Sequence, residues 1–210
     1  MRLAHFSKSI AALTVILSAL APTAQAECEC LWEGSFADVE ASTDLVLAAT
    51  VQRIKGNSMD LLIEETLRGK VYLDTVRVWL KTADYCRPEV DEFPVNSRWV
   101  FALNKIREVP DDGFDPLTPN ISYGRPDDYY LSECGGYWLT YEGEAVTGNL
   151  VDAPRWARDP DMTPVLMSVI RSYVNGDTSK EALKAATEED PALDNLMLDT
   201  KAFLRGDPDS

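Results

Sequence analysis

Four cysteines restrict this chain more than any other feature. Cys28 and Cys30 stand one residue apart, while Cys86 and Cys134 lie far downstream. An even number of cysteines in an exported chain reads as a disulfide framework, here two bridges drawn from three possible pairings. A bridge between Cys28 and Cys30 would be strained across one intervening residue. With distant partners the closed loops are long, and each bridge contributes about 3 to 5 kcal/mol in a chain-entropy account. A Cys-x-Cys redox or metal site would call for a second close pair or a histidine. The sequence offers no second close pair, and its one histidine, His5, lies in the amino-terminal segment expected to be removed, so no metal and no cofactor is expected.

The amino terminus supports export. Arg2 and Lys8 precede an apolar run from Ile10 to Leu20, and Ala24-Gln25-Ala26 presents small residues where a signal peptidase reads. That is the layout of a cleavable leader, with an apolar stretch too short to span a bilayer. Glu27 separates Ala26 from Cys28, so the cysteine is not placed for lipid attachment. Cleavage after Ala26 takes 26 of 210 residues and leaves 184, enough for one domain with a real core. A secreted or periplasmic protein, free of the membrane after cleavage, is expected.

The sequence contains one histidine, His5, which leaves with the leader. The mature chain then lacks imidazole, which excludes Ser-His-Asp and Cys-His catalysis and histidine metal sites. The formal charge of −15 moves to −17 as Arg2 and Lys8 are lost. Such a surface repels nucleic acid and anionic lipid, and it attracts basic partners.

From Asp44 onward the pattern is one of strands. Leu45–Val51 is continuously apolar, Met59–Leu67 follows a Lys-Gly-Asn-Ser turn, and Val76–Leu80 alternates with period two. Arg98–Leu103 is a fourth run, and Tyr137–Tyr141 with Ala145–Val151 reads as a hairpin about Glu142-Gly143-Glu144. Short strands punctuated by Gly, Asn and Pro favour an antiparallel barrel or sandwich. Residues 105–128 are too long for a simple turn, and loops of that length are usually functional or disordered. Asp111, Asp112 and Asp115 lack the ligand ladder of a calcium loop, so a solvated acidic loop is expected there. Beyond Pro160 the period becomes helical. Met162, Val165, Leu166, Val169, Ile170 and Tyr173 share a stripe, Thr178 with Glu181 makes a capping box, and a third helix begins at Asp190-Pro191.

The order of these features resembles the amino-terminal domain of the tissue inhibitors of metalloproteinases and the related netrin-like modules. The Cys-x-Cys start, the strand Asp44–Val51, Glu64–Lys70 with its Gly-Lys step, Cys86 after a strand and Ser132-Glu133-Cys134-Gly135-Gly136 carry the resemblance across residues 28–140. It implies a mainly β fold with added helix: a five-stranded OB-like antiparallel barrel stapled by two disulfides, with a helical carboxy-terminal segment. It also implies the pairing Cys28–Cys86 and Cys30–Cys134. The expected organisation is a leader (1–26), a barrel domain (27–152) and a helical segment packed on it (153–210). Family inhibitors chelate a protease zinc through the free amine of a first-residue cysteine. Glu27 precedes Cys28 here, and the family's third pair of cysteines in this domain is missing.

The function expected is non-enzymatic binding of a protein, an extracytoplasmic protease among the partners considered. The contact surface would combine Cys28, Glu29, Cys30, Leu31 and Trp32 with the 105–128 loop. Aromatics dominate binding hot spots, which makes Trp32 an anchor candidate, with burial in the barrel the equal alternative. Metalloproteinase inhibition through the Cys28 region and hydrolysis by paired carboxylates are the alternatives.

Overall fold

The computed structural model describes residues 28–83, 85–154, 160, 162–190, 201 and 205. The expected leader and most of the expected third helix, 191–200 and 202–204, lie outside the described residues.

Ser35 opens a short helix α1 (Phe36–Val39), and the chain then enters β1 (Leu45–Lys55). The first five residues of β1 are all buried, because this strand is covered on both faces, as its unbroken apolar run requires. Past Val51 the exposed positions begin and the strand leaves that cover. β1 turns into β2 (Ser58–Arg68) through Gly56 and Asn57, with Lys55 opposite Ser58. Gly56 has φ 58°, the left-handed value that a two-residue hairpin demands at its first loop position. A side chain there would also meet the Asn120 carbonyl oxygen at 1.6 Å. Three register shifts interrupt the β1–β2 ladder. Irregularities of this kind add bend and twist, which two 11-residue strands need in order to curl into a barrel.

β3 (Thr75–Trp79) continues the meander, and β4 (Arg98–Lys105) returns to pair with β1 from Leu45–Leu103 to Thr50–Arg98. The barrel closes through β5, only Tyr129–Tyr130, which joins β4 on one side and β3 on the other. The closed order is β1-β2-β3-β5-β4-β1. All pairs are antiparallel except β3–β5, which is parallel. A ring with an odd number of strands cannot alternate direction all the way round, so one parallel contact is obligatory.

The expected hairpin forms as β6 (Trp138–Glu142) and β7 (Ala145–Thr147), and β6 extends the ladder at the amino-terminal end of β4. The carboxy-terminal segment differs from its periodicity in one respect. Val165–Leu166 form a short strand β8 on β7, and helix α2 starts only at Met167, running to Val174. The open edge of β7 offers a ladder to any extended segment. Val165–Leu166 supply one, and Pro164 keeps Thr163 before it from helical backbone, so that the helix starts later. Helix α3 (Lys180–Thr187) is capped by Ser179, whose hydroxyl accepts from the Ala182 amide at 3.2 Å. Thr178, the expected cap, instead bonds the Ser172 hydroxyl.

Helix α2 is part of the barrel's core. Met167, Ile170 and Val174 are buried at helical spacing and join the same apolar cluster as Phe36, Leu47 and Phe101. Tyr173 donates to the Ala37 carbonyl at 2.7 Å, and Arg171 grips Glu65 of β2 through two nitrogens at 2.6 and 2.8 Å. Among the described residues no helix is long and apolar enough to cross a membrane.

Candidate functional site

The segment 28–34 has no regular secondary structure and is held by cross-links. Cys28 is joined to Cys86 and Cys30 to Cys134, the pairing that the resemblance implies. Beyond them the Glu33 amide donates to the Cys134 carbonyl at 2.8 Å, and the Gly136 amide donates to the Gly34 carbonyl at 2.9 Å. The Tyr137 hydroxyl binds the Glu33 carboxylate, and burial together with this bond pushes the Tyr137 phenol upward. A ridge with so many ties presents a fixed surface. Cys28, Cys30 and Trp32 are half-buried, while Glu29 is exposed and Leu31 is 90 % exposed. Trp32 is therefore neither a free anchor nor a core residue.

The long connection is tied as firmly. Asn57 in the β1–β2 turn donates to the carbonyls of Leu80 and Ser122 at 3.0 and 2.9 Å and accepts from the Ser122 amide at 3.0 Å. Phe114 and Ser122 form a bridge, and the Tyr123 amide donates to the Gly113 carbonyl. Gly124, at φ 127°, lies where an added side-chain carbon would strike Ile106 and the Trp79 ring. Two of the loop's acidic groups serve its own geometry: Asp115 accepts from the Leu117 amide and Asp112 from the Tyr85 hydroxyl. Phe114, Leu117 and Ile121 remain exposed at 56, 88 and 44 %.

Ridge and loop meet at Tyr85-Cys86-Arg87. Cys86 carries the bridge to Cys28, and the next residue, Arg87, is only 2 % exposed. Its Nη1 donates to the Tyr123 carbonyl at 2.5 Å. Its guanidinium lies 4.1 Å from the Tyr123 ring centre, 4.8 Å from Tyr130 and 5.8 Å from Tyr85. Desolvated cation–aromatic contacts contribute about 2 kcal/mol each. Tyr85 and Tyr123 also pack edge to face at 4.6 Å. Burial lowers the pKa of Arg87 and raises that of Tyr130. The second terminal nitrogen of Arg87 has no hydrogen-bond partner among the described residues. Sequence reasoning missed this post, because isolated tyrosines and one arginine carry no spacing signal until the fold gathers them.

Among the described carboxyl groups Glu40 is pushed upward, by burial in opposition to its ion pair with Arg68. It sits behind α1 at 5 % exposure, hydrogen-bonded to Arg68. Two surface grooves accompany the barrel: about 570 Å³ beside Trp99, Arg98 and Tyr141, and about 260 Å³ between Tyr72–Leu73 and Lys105–Asp127. No family profile, curated protein or solved structure matches the chain.

Proposed function

We propose that this chain is an exported, non-enzymatic protein-binding module of the tissue-inhibitor or netrin-like kind. Its contact surface is the tethered ridge 28–32 with the loop 105–128. The supporting observation is four exposed apolar side chains, Leu31, Phe114, Leu117 and Ile121, carried on segments that disulfides and hydrogen bonds hold in place. Exposed apolar groups on a fixed frame lose little entropy on binding, which is what a recognition surface needs. The barrel order β1-β2-β3-β5-β4 agrees with the OB-type fold of that family.

Photo-crosslinking residues placed at Leu31 and at Leu117 test the reading in the organism that makes the chain. Both are expected to yield the same protein adduct, and a probe at Leu62 on the barrel wall is not. Equal adducts from all three positions, or none from the first two, overturn it. The same ridge carries the inhibitor alternative. Slower cleavage by a zinc endopeptidase with the native chain, but not with Leu31→Ala, would favour that alternative.

A further inference from the structure

The fold gathers all four cysteine sulfurs within 4.8 Å of one another, although the sequence spreads them over 106 positions. We propose that the reduced chain binds one zinc ion in a closed tetrathiolate site made by Cys28, Cys30, Cys86 and Cys134. The inference is independent of the docking surface proposed above.

Zinc holds thiolates at about 2.3 Å in a tetrahedron, which sets sulfur–sulfur edges of about 3.8 Å. Sulfurs confined within 4.8 Å span the size of that tetrahedron, once reduction lets the two bonded pairs separate. Besides the bridges, the Glu33 amide donates to the Cys134 carbonyl at 2.8 Å and the Glu133 amide to the Cys86 carbonyl at 3.1 Å, which also hold these segments together. Three of the cysteines are half-buried and Cys134 is buried, the shielding a structural site uses.

A zinc tetrathiolate carries a net charge of −2, and the exposed carboxylate of Glu29, between two of the ligands, adds to it. Against that stands Arg87, adjacent in sequence to Cys86, a buried cation whose Nη2 has no hydrogen-bond partner among the described residues. Tyrosine rings and the Tyr123 carbonyl surround it. Arg87 is thus the cation nearest to the four ligands in sequence, next to Cys86. Soft sulfur ligands select zinc over calcium or magnesium.

The step balances with a dithiol as reductant. Two dithiols transfer four electrons and four protons to the two disulfides, giving four thiols and two oxidised reductants. One zinc ion then displaces four protons as four sulfur–zinc bonds form. The ridge is thereby tied to Cys86 and Cys134 in both redox states, by covalent bridges or by the metal.

The test uses the purified chain reduced anaerobically with a phosphine, then titrated with Co2+ and back-titrated with Zn2+. Expected is one Co2+ per chain, with thiolate-to-metal charge transfer and the intense visible bands of tetrahedral cobalt, bleached by one equivalent of zinc. The disulfide-bonded chain should show neither, and Cys30→Ser should lose the four-thiolate spectrum. The zinc-loaded reduced chain should reproduce the near-ultraviolet circular dichroism of the oxidised chain, even where reduction alone abolishes it. Absence of thiolate bands, equal binding by the oxidised chain, or zinc loading that leaves the near-ultraviolet signal lost would each overturn the proposal.

Discussion

If helix α2 is part of the barrel core, then Ile170→Ala must unfold the whole domain more easily. Ile170 is fully buried in the cluster that includes residues from β1, β4 and α1. The substitution removes three carbon groups, about 2.4 kcal/mol at 0.8 kcal/mol each. The cavity left behind adds to this, and substitutions of this class span about 2 to 5 kcal/mol. A loss of about 3.5 kcal/mol is therefore expected. For a chain of this length each kcal/mol moves the melting temperature by about 2–4 °C, so a fall of about 7–14 °C should follow. Urea unfolding with the disulfides intact, followed by tryptophan fluorescence, reads the effect at the barrel, because Trp99 and Trp138 lie 5.2 and 5.7 Å from the Phe93 ring. Leu166→Ala, at a side chain 59 % exposed, is the control and should stay within about 0.5 kcal/mol. A loss below about 1 kcal/mol for Ile170→Ala would refute the reasoning. So would two separate transitions, since either result makes α2 an appendage.

Asn57→Ala should release the 106–128 loop from the β1–β2 turn, cost about 1–3 kcal/mol, and speed amide exchange at Ser122 and Tyr123 while sparing β1. Peptide mapping without reductant should recover Cys28 linked to Cys86 and Cys30 to Cys134. On chain entropy alone the sequence separations of 58 and 104 residues correspond to about 4 and about 5 kcal/mol, so Cys30→Ser/Cys134→Ser should destabilise at least as much as Cys28→Ser/Cys86→Ser. Burial raises the pKa of Glu40, so the folded state holds its proton more tightly than the unfolded state does. Its contribution to stability is then fullest below the unfolded value of 4.5 and is lost as pH rises through the folded value. Glu40→Gln removes that loss, so its stability relative to the native chain should climb between pH 4 and 7 in urea titrations; a flat or falling difference would count against it. Asp60 has the opposite sign, since hydrogen bonds from Arg77 and Arg53 outweigh burial and hold it low, and its contribution fades only in acid.

Much of the barrel was legible because its longer strands are coded locally. The unbroken apolar run Leu45–Ala49 marks a strand covered on both faces, and alternation at Val76–Trp79 marks one that is half covered. The strand that closes the ring was not legible. Tyr129–Tyr130 is two residues long, and pattern recognition needs at least two periods of alternation. Its position follows only once β3 and β4 have left a gap between them. Val165–Leu166 failed for the same reason from the other side. Their spacing fits the helical stripe, and the free edge of β7 overrides it.

The candidate site divides along the same line. Cys28 to Trp32 and the 105–128 loop stand out in the sequence, by spacing and by length. What couples them does not, because Arg87 reads as one more charged surface residue. The fold reverses that reading by pairing Cys86 with Cys28, which draws the following residue inward against Tyr123 of the loop. An arginine buried without a carboxylate costs stability unless aromatic faces and a carbonyl offset the loss of water. Here three tyrosines and the Tyr123 carbonyl do so, which is why the same residues that tie the loop down also keep the cation in place. Loosening either segment would therefore expose the guanidinium and loosen the other, so ridge and loop act as one surface.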